Sequence, residues 1–391
     1  MYYDTIKKRV RHIYQMLAND SKLDVSLNQL DFCNKYIDVG TVMETINPEL
    51  EYISSGGYGH TFYGSSVEHD VEYALKMVGY NKNPKFGDIT NPCRPENCEI
   101  QILILLAKLV TEGMTPHIVL IVSYFTTSIQ PFIEIKDDLS QHERYMKFYA
   151  DYSKGVYYPD VSILISEWAD RGDLSKFLNR KVEKDGKTLK QIDLITTEMW
   201  RVLLFQLISC LATIHGRYPD FRHNDLKANN VLVQKLQPSK VKEIFKYKIN
   251  KNRYFVPSIG VILKIWDFDF ACIKGVVDNI KVSGNFFAKT GNVTQERHQY
   301  YDIHYFLNTL ERFVDNFYER IPDEIREFIF RVIPPDYRGA KAPTSKFLAE
   351  RGRLLSHYPY TTPLEIIEDD PLFEPFRLTD EQISNISILT E

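Results

Sequence analysis

Cysteine is scarce in this 391-residue chain: there are five, scattered as Cys33, Cys93, Cys98, Cys210 and Cys272. An odd, dispersed set excludes a disulfide scaffold and suits a reducing compartment. Only Cys93 and Cys98 lie close together, and no second Cys/His pair stands at metal-ligand spacing, so incidental thiols are a simpler reading than a zinc site. Long hydrophobic runs are missing as well. The most apolar stretch, Ile100 to Val110, is broken by Gln101 and Lys108 and is too short to span a bilayer. Residues 1–20 open on charged and polar groups without an apolar signal core, so the expectation is a soluble protein with no transmembrane segment, not secreted by a standard route. Neither charge sign dominates. A formal net charge of -4 predicts no general affinity for nucleic acid or acidic membrane. Internal repeats and low-complexity tracts are absent too. What remains is ordinary globular material, 44% hydrophobic and 26% charged, long enough for one two-lobed domain or two small ones.

The informative stretch is Phe221-Arg222-His223-Asn224-Asp225-Leu226-Lys227-Ala228-Asn229-Asn230-Val231-Leu232-Val233. A helical pattern runs into it and an apolar β-type run leaves it, which predicts a polar loop held between rigid elements. Asp225 can accept a proton, Lys227 can neutralise a moving phosphoryl group, and the Asn230 carboxamide oxygen can ligate Mg²⁺. Phosphoryl transfer needs those three groups close together. The stretch resembles the catalytic loop of eukaryotic-like protein kinases, His-Arg-Asp-Leu-Lys-x-x-Asn, with Asn224 where that family usually has Arg.

Further segments carry the same resemblance. Ser54-Ser55-Gly56-Gly57-Tyr58-Gly59 lies between β-formers and is similar to the kinase glycine-rich loop, with Ser54 in place of its first glycine. Glycines let a backbone approach a phosphate closely, although a glycine-rich hairpin turn reads the same way. Lys76, 17 residues after Gly59 in Glu72-Tyr73-Ala74-Leu75-Lys76-Met77-Val78, matches the strand lysine that contacts α- and β-phosphates; a solvated edge lysine is the bland alternative. Its acidic partner is expected from a helix beginning at Glu99, whose apolar face recurs at +4 and +7; Glu96 is the rival. Val161 to Leu174 resembles the strand and hinge between kinase lobes. In that register Ser166 is the gatekeeper, backbone groups from Glu167 to Ala169 meet adenine, and Asp173 hydrogen-bonds ribose. Asp170 or Asp173 capping a helix is compatible with this. Trp266-Asp267-Phe268-Asp269-Phe270 matches Asp-Phe-Gly with Asp269 for the glycine, which makes Asp267 the second Mg²⁺ ligand and predicts a loop biased to one state, since Asp tolerates positive φ less well. No Ala-Pro-Glu follows. Gln299 to Phe306 fits the start of the large lobe's central helix, with Asp302 tied back to the catalytic loop, and Thr361 to Phe373 resembles the closing helix.

The wording His-Asn-Asp-Leu-Lys-Ala-Asn-Asn, Trp-Asp-Phe-Asp-Phe and Tyr-Tyr-Asp-Ile-His-Tyr-Phe is most similar to divergent serine/threonine kinases of large DNA viruses, of the poxvirus virion-assembly and giant amoeba virus type. The resemblance implies an α+β bilobal fold, with a small β-rich N-lobe and a mostly helical C-lobe. Residues 1–48 read as a helical extension, in which Ile6, Val10, Ile13, Tyr14 and Leu17 recur at helical spacing. Packing on the following domain is preferred there to binding a separate partner. Residues 49–168 form the N-lobe with an insertion at about 126–160, and 169–391 the C-lobe with a basic insertion at about 234–257. A solvated hairpin is the default for that second insertion, and recognition of an acidic partner the alternative.

The expected function is ATP- and Mg²⁺-dependent phosphorylation of Ser/Thr hydroxyls in proteins. Asp225 and Lys227 would be catalytic, and Ser54, Ser55, Gly56, Gly57, Tyr58, Gly59, Lys76, Glu99, Glu167, Ala169 and Asp173 would hold the nucleotide. Asn230 and Asp267 would take the metal. Without an Arg before Asp225, activity should not depend strongly on phosphorylation of Ser283, Thr290 or Thr294. A nucleotide-binding pseudokinase scaffold and a small-molecule phosphotransferase stay open as alternatives. By resemblance the protein would work in the host cytoplasm or be packaged in the virion.

Overall fold

The computed structural model describes residues 50–55, 59–66, 71–136, 138–236, 244–283, 292–339, 346–355 and 361–378. The expected extension at 1–48 lies outside them, as do Gly56, Gly57, Tyr58 and Thr290. The chain divides into two units: one takes the described residues up to Lys108, Val119–Trp168 and Val277–Lys281, and the other takes the rest.

Period-two patterning builds the first unit. Its five antiparallel strands are β1 (Leu50–Ser55), β2 (Gly59–Ser66), β3 (Val71–Asn81), β4 (Ile121–Ser128) and β5 (Tyr157–Glu167), in the order β1-β2-β3-β5-β4. Along β3, Tyr73, Leu75 and Met77 alternate into the core, which turns Lys76 to the opposite face. Helix α1 (Pro95–Thr111) starts on a proline, whose missing N–H is no loss in a first turn. It therefore begins one turn before Glu99, where the apolar repeat alone places its start.

The insertion at 126–160 supplies the end of β4, helices α2 (Gln130–Glu134) and α3 (Glu143–Ser153), and the start of β5. Though polar in composition, it buries Tyr145 and Phe148 in the same core cluster as Leu75 and Met77. The Tyr145 hydroxyl donates to the Phe132 carbonyl at 2.6 Å, so its burial leaves no unsatisfied polar group.

The second unit is organised around α5 (Thr197–Arg217), which follows α4 (Leu174–Asn179) and the hairpin β6 (Lys181–Lys184) and β7 (Lys187–Lys190). Thr196 caps α5 by accepting from the Met199 N–H at 3.3 Å. By length and composition α5 is apolar enough to cross a bilayer, so Ile100–Val110 is not the stretch that comes nearest to a span among the described residues. Its residues are nevertheless packed inside the unit, where Phe205 meets the rings of Tyr247, Tyr254, Phe373 and Phe376 at 5.2–5.7 Å. Two of those rings come from the basic insertion, a hairpin of β10 (Ile244–Ile249) and β11 (Asn252–Pro257). It is not merely solvated: Tyr247, Tyr254 and Val256 face inward while Lys246, Lys248, Lys251 and Arg253 do not. Helices α6 (Tyr301–Phe313), α7 (Phe317–Arg320), α8 (Asp323–Val332) and α9 (Pro363–Asp369) complete the unit, the last closed by a capping box between Thr362 and Glu365.

Candidate active site

Two short ladders in the second unit suspend the polar loop. Strand β8 (Phe221–Arg222) pairs with β13 (Cys272–Ile273), and β9 (Val231–Lys235) pairs with β12 (Val261–Ile265). Residues 223–230 and 266–271 are therefore two loops running between the same pair of ladders. The Trp266 N–H donates to the Asn230 carbonyl at 3.2 Å, and the His223 Nε2–H donates to the Trp266 carbonyl at 3.0 Å.

Asp302, fully buried on α6, ties the first loop down. Its carboxylate accepts from the N–H groups of His223 at 2.7 Å and Asn224 at 2.9 Å. Burial raises its pKa, against the lowering influence of His223, Arg222 and the two backbone donors. Asn224 adopts φ 64°, a left-handed conformation that Asn enters more readily than most residues. Its side-chain amide donates to the carbonyls of Phe270 (3.1 Å) and Thr294 (3.2 Å). In the second loop the left-handed residue is Asp267, at φ 62°. Asp269, in the place of the glycine, does not adopt positive φ; the left-handed residue lies two positions earlier, where the chain leaves β12 and enters the turn closed by Ala271 N–H on the Phe268 carbonyl at 2.9 Å.

The three predicted groups of the first loop come together. The Lys227 ammonium donates to Asp225 Oδ2, and Asn230 Nδ2 donates to the same oxygen at 3.2 Å and to the Asp225 carbonyl at 2.9 Å. Val231 pairs with Ile265, so Asn230 and Asp267 leave the same end of one ladder. With its amide nitrogen committed to Asp225, Asn230 keeps its Oδ1 as an acceptor. That oxygen and the Asp267 carboxylate are hard donors suited to Mg²⁺, which takes few protein ligands and completes its shell with water and phosphate. No group of three His, Cys, Asp or Glu side chains fit for a metal occurs among the described residues.

Asp173 caps α4, accepting from the Lys176 N–H at 2.9 Å, and bridges to Leu232 in β9. Ala169 is buried, and its carbonyl accepts from the Gly172 N–H at 3.3 Å.

In the first unit Lys76 donates to both carboxylate oxygens of Glu99, at 2.7 and 2.8 Å. Glu96 instead meets Arg94, at 3.3 Å. Gly59 pairs with Val78 across from Lys76, and a Cβ there would come within 3.2 Å of the Lys76 Cε and 3.0 Å of the Val78 side chain. A side chain at position 59 would be tight where the lysine crosses β2. Ser54 sits in β1 beside a register shift, and Ser55 ends that strand. The Glu167 N–H donates to the Leu120 carbonyl at 3.0 Å while its carboxylate accepts from the Leu120 N–H at 2.9 Å. Of its backbone groups, the donor is therefore already engaged.

Two arginines at the loop had no motif to announce them. Buried Arg222 donates to the carbonyls of Asn292 (2.8 Å) and Glu296 (3.1 Å) and to the Thr294 hydroxyl (2.8 Å), with its guanidinium 4.0 Å from the Tyr301 ring centre. Arg353 reaches Asp225 itself. Burial works against the Arg353 charge, but Tyr301, Tyr305 and Asp225 around it more than offset this, and its pKa is raised.

A family model described as poxvirus serine/threonine protein kinase matches residues 120–332. The chain belongs to this family. A protein of Acanthamoeba polyphaga mimivirus, provisionally named a serine/threonine-protein kinase, is 39% identical over 355 residues, covering 87% of this chain and 72% of that one. A second mimivirus protein with the same provisional name is 24% identical over 268 residues, covering 63% of this chain and 64% of that one. Among solved structures, the kinase domain of BubR1 overlaps at TM-score 0.32 and 16% identity, over 58% of this chain and 47% of that one. The kinase has the α+β bilobal fold of its family, with a five-stranded antiparallel sheet in its N-terminal part and helices in its C-terminal part.

Proposed function

We propose that this kinase is catalytically active and transfers the γ-phosphoryl group of Mg·ATP to Ser or Thr hydroxyls of proteins. The cluster on Asp225 carries the reading: a carboxylate held by the Lys227 ammonium and the Asn230 amide, on a loop pinned by buried Asp302. In this reading Asp225 orients the substrate hydroxyl and takes its proton as the phosphoryl group departs from ADP. Lys227 faces the negative charge that builds on the transferring group. Lys76, held by Glu99, meets the α- and β-phosphates. Asn230 and Asp267 would hold Mg²⁺, whose charge draws off electron density from the phosphate oxygens. Lysine at position 227, by family resemblance, supports Ser/Thr over Tyr.

The test is transfer of labelled γ-phosphate from Mg·ATP to casein or a basic protein by wild type, Asp225→Asn and Lys76→Met, with melting followed with and without nucleotide. Transfer by wild type alone, on Ser/Thr by mass spectrometry, is expected. A nucleotide-dependent melting shift without transfer would support a binding scaffold instead. Transfer to choline or aminoglycosides in preference to protein would make the chain a small-molecule phosphotransferase.

A further inference from the structure

We propose that Arg353, remote in sequence from the catalytic loop, is a positioning residue that sets the orientation of the Asp225 carboxylate. The inference rests on the reading of Asp225 as the group that meets the substrate hydroxyl. One guanidinium nitrogen of Arg353 donates to Asp225 Oδ1, and another donates to the Asn224 carbonyl and, at 3.3 Å, to the Tyr301 hydroxyl. The other carboxylate oxygen, Oδ2, takes Lys227 and Asn230. Charged or amide donors thus grip both oxygens, and the plane of the carboxylate has no freedom to turn about its last torsion. An unsupported Asp would explore that torsion broadly.

The arginine is itself held on all sides. Its guanidinium lies 4.2 Å from the Tyr305 ring centre, and its side chain is only 14% exposed. Tyr301, Tyr305 and Asn308 fall on one face of α6, at helical spacing. Asn308 donates to the Gly352 carbonyl at 3.0 Å, immediately before Arg353, and accepts from the Gly339 N–H at 3.0 Å. Two consecutive left-handed residues, Arg351 (φ 64°) and Gly352 (φ 76°), turn the chain there. The Ala349 N–H then closes on the Arg353 carbonyl at 2.7 Å, and the Leu355 N–H on the Phe347 carbonyl at 2.8 Å. A guanidinium fixed this completely serves to fix something else. Beyond the two tyrosines of α6, it touches the carboxylate and the backbone carbonyl just before it. The same helix that anchors the catalytic loop through Asp302 also anchors the segment that carries Arg353, so loop and arginine share one support.

Displacing a reacting group by about an ångström costs on the order of 100-fold in rate. Arg353→Ala should therefore lower kcat by roughly 10- to 100-fold while KM for ATP changes by less than about threefold, since Arg353 touches Asp225 and not the residues assigned to nucleotide. Arg353→Lys should recover part of the loss, and guanidinium ion added to Arg353→Ala should restore activity several-fold without restoring it to Asp225→Asn. Each protein is checked by its melting transition. A purely structural role predicts lower melting, a raised KM together with the lowered kcat, no rescue by guanidinium and no benefit from lysine; that pattern overturns the inference. So does a rise in kcat on removing Arg353, which would make the guanidinium a restraint on the carboxylate. If Asp225→Asn abolishes transfer while Arg353→Ala leaves it intact, the positioning role fails and the functional reading stands. Wild type that transfers no phosphate removes both.

Discussion

Breaking the Lys76–Glu99 pair separates two effects that a catalytic assay alone confounds. The ammonium lies 2.7 and 2.8 Å from the two carboxylate oxygens, and the side chains are only 13% and 6% exposed. At an effective dielectric of about 20, unit charges at that separation attract by roughly 6 kcal/mol. Desolvation of both ions offsets most of that, so the net worth of the intact pair is small. Removing one partner is different, because the survivor keeps its desolvation cost without its counter-charge. Lys76→Met should therefore destabilise the protein by about 3–5 kcal/mol, and Glu99→Gln by a similar or smaller amount. The double variant Lys76→Met/Glu99→Gln should be more stable than the sum of the single changes allows, with a coupling of about 2 kcal/mol or more. Equilibrium urea unfolding of the four proteins measures this directly. Additivity within about 0.5 kcal/mol would refute the reasoning, since it would mean that neither charge feels the other's removal. Nucleotide-dependent melting on the same four proteins then shows whether lost transfer by Lys76→Met follows from lost nucleotide contact or from lost fold.

Further perturbations bear on the rest of the site. Asp302→Asn leaves one of the two loop N–H groups without an acceptor in a buried place; about 1–3 kcal/mol should be lost in urea unfolding, and kcat should fall with it. Unchanged stability and rate would show that the loop is held without Asp302. Alanine at Ser283, Thr290 and Thr294 together should leave most activity, because Arg222 already holds the 292–296 segment through two carbonyls as well as the Thr294 hydroxyl; abolished turnover in a folded triple variant would contradict this. Arg222→Gln should damage activity far more than Thr294→Ala, in the same transfer assay. Acid should destabilise the kinase early. Burial pushes the histidines at 60, 215 and 304 down to about 4 and His117 down to about 3, against about 6.5 in an unfolded chain. With folded pKa values depressed, the unfolded state binds more protons between about pH 6.5 and 4, so stability falls as pH drops through that window, by on the order of 1–2 kcal/mol per histidine from pH 7 to 5. Urea midpoints flat across that range, or rising toward acid, would contradict the burial of these rings.

The sequence by itself carried whatever is short-range. Asp225, Lys227 and Asn230 meet because a five-residue span on one loop cannot take them far apart. Lys76 was legible because a period-two strand turns alternate residues to opposite faces, and Glu99 because +4 and +7 spacing puts it on the helical face of Leu103 and Leu106. Asp302 could be read from its place at the start of a helix, though not that it accepts two N–H groups at once. Only the tertiary structure decided the rest. Arg353 stands 128 residues from Asp225, and nothing in its neighbours marks it. Arg222 sits one residue outside the motif, and its partners are 70 to 74 residues away. The tyrosine-rich insertion reads as polar, yet covering one face of the sheet makes core residues of Tyr145 and Phe148. Period and spacing report a residue's nearest neighbours along the chain. A guanidinium delivered by a distant turn, or a ring buried by a sheet, depends on how the chain returns on itself, and composition holds no record of that.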